Sequence, residues 1–160
     1  MCYSGHFEKS SVINADNTSV FDFIDDHGKL SSHMNKSSWM MGGGKMKTEV
    51  DEGKGQEVGS HIKMGGNVLG VNLFLDEVVT VRLRPTRKVW KTVENPNLLV
   101  ISNYQMGVEL VTEANKTNLK VFIDYDLPKG GSKILGFIFG GAYAKWCVDQ
   151  MINGVVDHFK

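Results

Sequence analysis

The C-terminal stretch Ser132–Lys160 constrains the fold more than any other part of the chain. It contains no proline, and it follows a break at Leu127-Pro128-Lys129-Gly130-Gly131. Apolar residues recur in it at steps of three and four, which places them along one face of an α-helix. These residues are Ile134, Phe137, Gly141, Ala144, Val148, Met151, Val155 and Phe159. We therefore predict one long C-terminal helix whose apolar face packs in the core.

The first half of this helix carries a second apolar strip, on the side away from the first. The strip consists of Leu135, Phe139, Ala142 and Trp146. A helix that is apolar on two sides has to be covered on both, or to face a cavity, a partner or a lipid. Two interpretations stay open: a loop or short helix covers the strip, or the strip lines the mouth of a pocket.

Strand patterns dominate the rest of the chain. Strands are predicted over Phe7–Asn14, Lys45–Glu52, Glu57–Met64, Val68–Leu75, Asp76–Leu83, Lys88–Glu94, Leu99–Thr112 and Thr117–Leu127. The last of these alternates between apolar and polar residues, which is typical of an antiparallel sheet with one covered face. Two short helices are predicted after the first strand, over Asn17–Asp26, with Asp16 as the N-cap, and over Lys29–Asn35.

The segment Ser37–Gly44 fits neither a helix nor a strand pattern, because it is rich in Met and Gly. We expect it to be mobile. Together with Phe139 and Trp146, its part Ser38–Gly44 is predicted to form the gate of a pocket.

Three local sequences support a family resemblance. They are Leu75-Asp76-Glu77-Val78-Val79-Thr80, Pro85-x-x-Lys88-Val89-Trp90 and Phe122-Ile123-Asp124-Tyr125-Asp126-Leu127-Pro128. With the order of elements from about Phe7 to Phe159, they resemble the START/Bet v 1-like (SRPBCC) superfamily, in its polyketide cyclase/dehydrase and lipid-transport type. The resemblance implies one α+β domain with a helix-grip fold: a curved antiparallel sheet of about seven strands around the C-terminal helix.

The same resemblance implies an apolar cavity between sheet and helix, in which most members bind a lipid, sterol or polyketide. Our leading hypothesis is therefore binding, transport or sequestration of a small hydrophobic molecule. The alternatives are an enzyme of the polyketide cyclase, aromatase or dehydrase kind, with a pocket carboxylate or tyrosine as acid or base, and a protein-interaction module that docks a partner through Phe139 and Trp146. The family has no common catalytic residue, so the fold leaves these alternatives open, with a binding protein favoured over an enzyme.

The candidate ligand-binding residues are aromatic residues and one methionine. They are Trp90, Tyr104, Met106, Tyr125, Phe139 and Trp146. Such side chains suit a large apolar guest, and tyrosine hydroxyls can hold its polar end. A filled core would use the same residues.

Glu77 is the one weak candidate for catalysis. It has the same strand parity as Leu75 and Val79, so it interrupts an apolar row. In a cavity it would act as a general base or a hydrogen-bond partner of a ligand. We expect instead that Asp76-Glu77 forms a bulge or bend and that Glu77 reaches solvent, because buried unpaired carboxylates are rare. The basic residues around the next hairpin, among them Arg82, Arg84 and Lys88, are likewise expected on a solvated face.

Composition excludes several other classes. The chain has 18 basic and 18 acidic residues, so nothing favours binding to nucleic acid or to an anionic membrane. The five histidines, His6, His27, His33, His61 and His158, have no metal-ligand spacing, and we expect neither a metal nor a cofactor. Two cysteines, no signal sequence and no transmembrane run predict a cytoplasmic protein. The sequence leaves the oligomeric state open.

Overall fold

The structure is a computed structural model that describes residues 2–30, 45–68 and 70–160. Within these ranges, seven strands and three α-helices follow one another. They are β1 Gly5–Ile13, α1 Asn17–Asp25, α2 His27–Leu30, β2 Lys45–Val50, β3 His61–Val68, β4 Val71–Leu83, β5 Arg87–Asn97, β6 Tyr104–Glu113, β7 Lys116–Tyr125 and α3 Lys133–His158. The predicted gate segment Ser38–Gly44 and most of the predicted helix Lys29–Asn35 lie outside the described residues.

The seven strands form a single antiparallel sheet in the order β1-β7-β6-β5-β4-β3-β2. Strand β1 pairs with β7 along its whole length, so the start of the chain lies beside the strand that precedes α3. Helix α3 packs on β1 and β7, and α1 contacts both β6 and α3. The α+β helix-grip fold predicted from the order of elements is confirmed.

Two irregularities between β4 and β5 decide which side chains of β4 point into the core. Phe74 lies opposite Asn97 and Asp76 opposite Val93, so the extra residues are on β5, where Glu94 has a φ of 59°. The alternation of β4 therefore continues unbroken at this point. Further along, Val79 lies opposite Trp90 but Val81 opposite Val89, which places an extra residue on β4. This second bulge reverses the parity of β4 after Val79.

The inward face of α3 differs from the predicted one in the first half of the helix. Gly136, Gly140 and Ala144 are buried, whereas Ile134 is exposed and Phe137 is 81% exposed. The reason is the close approach of the chain that precedes α3. A Cβ at Gly140 would lie 2.9 Å from Leu127 Cδ2 and 3.1 Å from the carbonyl oxygen of Val100, so only glycine fits there.

Glycine 140 can be tested against Gly154, which is exposed within the same helix and whose added Cβ would meet no described atom within 4 Å. We expect Gly140→Ala to lower the free energy of unfolding by about 1–3 kcal/mol, because the methyl group overpacks against a backbone oxygen. Gly154→Ala should raise the free energy by about 0.5–1 kcal/mol, since alanine is the better helix former. Urea denaturation followed by circular dichroism measures both changes. Equal effects at the two positions would contradict the close packing of α3.

Candidate functional site

A narrow apolar cavity lies between the sheet and α3. The empty space among its lining atoms is about 490 Å³, including space that is open to solvent, and only about 30 Å³ of it is wide enough for the centre of a water molecule. One water needs ~10–15 Å³ on that measure, so the cavity in this closed form is smaller than a lipid chain requires. Three of its lining residues are methionines, Met64, Met106 and Met151. Their unbranched side chains are able to rotate and widen the space.

A second apolar cavity adjoins the first. Its empty space is about 390 Å³, including space that is open to solvent, and Met46, Val68 and Leu73 are among the residues that line it. Leu98, Ile101 and Tyr143 line both cavities and form the partition between them. Movement of this partition would join the two spaces into one elongated slot.

The structure brings half of the predicted ligand-binding residues to the first cavity. Trp90, Tyr104 and Met106 line it. Tyr125 is buried elsewhere. Its ring lies against Gly5, in the space that a side chain at Gly5 would occupy, and its hydroxyl lies near Gly141. The buried apolar residues form two clusters, and Trp146 is partly buried and packs against both of them. Phe139 is 49% exposed. The N-terminal end of α3, which includes Phe139, is apolar on its outer surface.

Glu77 is buried, and the expectation that it reaches solvent is wrong. Its side chain is 1% exposed and lines the cavity, because the extra residues of the irregularity lie on β5 and not on β4. The hydroxyl of Tyr104 donates a short hydrogen bond to Glu77 Oε1. Among the described residues, Glu77 Oε2 has no hydrogen-bond partner. The nearest histidine nitrogen, His27 Nε2, lies 3.7 Å from it.

Lys88 is also buried, with 0% exposure, so the expectation that it lies on a solvated face is wrong. Its ammonium group donates to Asp25 Oδ1 at 2.9 Å, to the Asp25 carbonyl oxygen at 3.1 Å and to His27 Nδ1 at 3.5 Å. The three donors of the ammonium group therefore all have acceptors.

Arg82 lies directly opposite Lys88 in the β4–β5 pair and reaches the same carboxylate. Its Nε donates to Asp25 at 3.2 Å and its Nη2 at 2.8 Å. The parity reversal after Val79 turns Arg82 toward α1, so it is half-buried, whereas Arg84 stays exposed and pairs with Asp22. Asp25, His27, Glu77, Arg82 and Lys88 are hereafter called the buried charge cluster.

The hydrogen bonds of this cluster determine the tautomer of His27. Because Lys88 donates to Nδ1, that nitrogen is an acceptor, and a neutral His27 carries its hydrogen on Nε2. Nε2 is the nitrogen that faces Glu77. The edge of the imidazole also meets Trp90, with 4.9 Å between ring centroids. His27 thus links Lys88 at one end of the cluster to the cavity at the other.

Burial keeps the remaining titratable groups of the cavity neutral. It raises the pKa of Tyr104 well above its ordinary value, and the nearby Glu77 raises it further. Burial has the same effect on Tyr143, and it raises the pKa of the Cys147 thiol to about 12. A thiol with so high a pKa supplies almost no thiolate near pH 7, so Cys147 is not suited to act as a nucleophile.

His27, Tyr143 and Cys147 line the cavity but were not among the predicted ligand-binding residues. The sequence does contain a signal for the burial of Lys88, because Lys88 has the same strand parity as Trp90. No comparable signal exists for His27, because its helix is only four residues long and carries no periodicity. Tyr143 and Cys147 lie on α3, between the two apolar faces that the sequence pattern suggested.

Comparisons with known proteins agree with this architecture. No protein-family model matches the sequence, and no curated protein matches it significantly. The Zhui aromatase/cyclase from a Streptomyces species superposes with a TM-score of 0.71 and 13% identity, over 96% of this chain and 92% of its own. For norcoclaurine synthase from Thalictrum flavum the values are 0.65, 15%, 96% and 84%. For a major latex-like protein from Panax ginseng they are 0.59, 15%, 97% and 97%.

The chain has the Bet v 1-like helix-grip fold. The predicted resemblance to the SRPBCC superfamily is thereby confirmed at the level of the fold. Identities of 13–15% carry no individual residue of those proteins over to this chain.

Neither a metal centre nor a membrane-spanning helix is found in the part of the chain that the structure describes. No group of three or more His, Cys, Asp or Glu residues there is arranged to hold a metal ion. None of its helices is both long and apolar enough to cross a bilayer.

Substitutions at Asp25 and Lys88 test the buried charge cluster. We expect Asp25→Asn to lower the free energy of unfolding by about 3–5 kcal/mol, because it leaves Lys88 buried without its carboxylate. Lys88→Met should have a smaller effect, within about 1–2 kcal/mol, since Asp25 keeps its hydrogen bonds to Arg82. Thermal and urea unfolding at pH 7 measure both. A larger loss for Lys88→Met than for Asp25→Asn would show that the pair is arranged differently.

The same pair predicts a pH dependence of stability. Burial alone would raise the pKa of Asp25, but hydrogen bonds from Arg82 and Lys88 outweigh it and hold the pKa below its ordinary value. The stability that Asp25 contributes is therefore fully present above about pH 4, near the ordinary aspartate pKa, and is lost as the pH falls further. Unfolding curves from pH 7 to pH 3 should fall less steeply for Asp25→Asn than for the wild type.

Proposed function

We propose that the protein binds a small hydrophobic molecule in the cavity between the sheet and α3, for transport or sequestration. The observation that carries this proposal is an apolar cavity between the sheet and α3, lined by Trp90 and by methionines. Burial of apolar surface would provide the driving force, at ~25 cal/mol per Å² before ordering costs. The fold is consistent with such a function, because the cavity lies between the sheet and α3.

The shape of the space favours a flat or slender guest over a bulky one. In the closed form the cavity accepts little more than water, so a ligand has to displace side chains. Rotation of Met64, Met106 or Met151 opens it sideways, and movement of the Leu98–Ile101–Tyr143 partition opens it toward the second cavity. A planar aromatic molecule or a short aliphatic one meets these limits.

Binding of the neutral fluorescent compound N-phenyl-1-naphthylamine to solvent-extracted protein tests this function. We expect Cys147→Met to weaken binding about tenfold, because the longer side chain fills the cavity from α3. Ala142→Met introduces the same side chain on the exposed side of α3 and should leave binding unchanged. Phe137→Ser removes the most exposed apolar side chain of the same helix, and it separates cavity binding from adsorption to the surface.

Binding that disappears in Phe137→Ser but persists in Cys147→Met would place the compound on the surface and contradict the proposal. Absence of any fluorescence change with the wild type would do so as well. Circular dichroism of each variant confirms that it is folded.

Catalysis by Glu77 is a second candidate function, favoured by one specific observation. Glu77 Oε2 has no hydrogen-bond partner among the described residues and lies on the wall of the cavity. A carboxylate oxygen so placed suits a general base that removes a proton from a bound molecule. His27 Nε2 lies 3.7 Å from Glu77 Oε2, and Lys88 contacts the other nitrogen of His27, so both residues are close enough to respond to a change in the charge of Glu77. Tyr104 holds the other oxygen of Glu77, Oε1, in place.

Hydrogen exchange into a bound ketone tests this second candidate. With 2-acetylnaphthalene in D₂O, we expect the methyl protons to exchange faster in the presence of the protein than in buffer, as followed by NMR. Glu77→Gln should abolish the acceleration while retaining binding, because the amide is no base. Acceleration that survives in Glu77→Gln, or none with the wild type, would remove Glu77 as a general base and leave the binding function standing.

A further inference from the structure

Glu77 Oε2 is an exception among the buried polar atoms. It is the one buried side-chain oxygen or nitrogen in the described ranges that has no hydrogen-bond partner. Such atoms are rare, because a buried acceptor that has lost its water is unfavourable unless another donor replaces it. An unpartnered oxygen that faces a cavity therefore indicates the position of a missing donor.

The described residues that line the cavity do not supply that donor. Its other sides are formed mainly by apolar side chains such as Leu75, Met106 and Ile123. His27 Nε2 is 3.7 Å away, beyond hydrogen-bond distance. The Tyr104 hydroxyl is committed to the other oxygen, Oε1, and Tyr143 interacts with Cys147. The described residues thus leave the position beside Oε2 to a molecule inside the cavity.

The polar neighbours of the Glu77 side chain among the described residues are a hydroxyl and an imidazole. Tyr104 donates to Oε1. The tautomer of His27, set by Lys88, turns an N–H toward Oε2 as well. Both neighbours thus present hydrogen, and not lone pairs, to the carboxylate.

The charges of the buried cluster also restrict the charge of the guest. By formal count, the cluster holds two basic side chains, Arg82 and Lys88, and two acidic ones, Asp25 and Glu77. The cluster therefore sums to zero. A cationic guest would leave an excess positive charge away from water, and an anionic guest would meet the carboxylate directly; both are costly at low dielectric.

From these observations we infer that the ligand is a neutral apolar molecule that carries a hydroxyl or N–H group and donates its hydrogen to Glu77 Oε2. The inference rests on the proposed function, since it concerns the ligand of the same cavity. It assigns Glu77 as the residue that selects this ligand class, and it excludes fatty acids and other carboxylates as the preferred guest.

Four naphthalene derivatives of similar size separate the possibilities. They are 2-naphthol, which donates; 2-methoxynaphthalene, in which the donor is blocked; 2-naphthylmethylamine, which is cationic at pH 7; and 2-naphthoate, which is anionic. Titration calorimetry or competition with N-phenyl-1-naphthylamine measures each affinity. We expect 2-naphthol to bind at least about tenfold more tightly than 2-methoxynaphthalene, and more tightly than either charged compound.

Glu77→Gln provides the decisive variant. The amide keeps the shape of the side chain and can still accept from Tyr104, but it presents an N–H₂ group where Oε2 lies in the wild type. The preference for 2-naphthol over 2-methoxynaphthalene should then fall to within about twofold. Glu57→Gln, which changes an exposed carboxylate in the loop before β3, is the matched control and should keep the wild-type preference.

The outcomes distinguish this inference from the function on which it rests. Binding of both neutral compounds with equal affinity to the wild type would overturn the role of Glu77 and leave the binding cavity standing. Tighter binding of the amine or of naphthoate would overturn the charge argument, and with it the inferred ligand class. If none of the four compounds binds, the proposed function fails and the inference fails with it. Tyr104→Phe, a second variant that leaves Glu77 in place, should retain a preference for 2-naphthol.

Discussion

The Asp25 carboxylate is the interaction on which the interior of this protein depends. It lies at the end of α1 and accepts hydrogen bonds from Arg82 and Lys88, which face each other across two strands. Two like charges in that position would repel each other without a shared anion. By pairing with both, Asp25 ties the first helix to the sheet and allows a lysine to be fully buried. The next residues then place His27 against Trp90 and Glu77, so the polar end of the cavity follows from this ion pair.

The opposite wall of the cavity follows from the close approach of the C-terminal helix to the chain before it. Gly140 lets α3 approach Val100 and Leu127, and this approach turns the larger apolar residues of the first helical turns outward. Further along the helix, Cys147 and Met151 face the sheet and line the cavity instead. The cavity is thus bounded by a polar cluster on one side and by adaptable side chains on the other. That combination suits a guest with one polar group and an apolar body.

The proteins that share this fold include some named as enzymes and one named as a latex-like protein, at identities of 13–15%. Such a range is expected when the backbone encloses a cavity and the side chains that line it determine the chemistry. In this chain a series of polar contacts runs from Arg82 through Asp25, Lys88 and His27 to Glu77. It leads from the protein surface to Glu77 Oε2, which faces an apolar space and has no hydrogen-bond partner among the described residues.

The sequence by itself determined the element order, the antiparallel sheet and the long final helix, because alternation and helical periodicity are local properties of the chain. It also indicated Trp90, Tyr104 and Met106 as candidate ligand-binding residues, by their aromatic or flexible apolar side chains, and all three line the cavity. Tertiary structure alone decided the burial of Glu77 and the inward turn of Arg82, because each depends on which of two paired strands carries the extra residue. It also decided the inward face of α3. A bulge in a strand, or the close approach of a distant backbone to a helix, changes which side chains point into the core but leaves the order of apolar and polar residues in the sequence unchanged. These features therefore follow only from the contacts between elements.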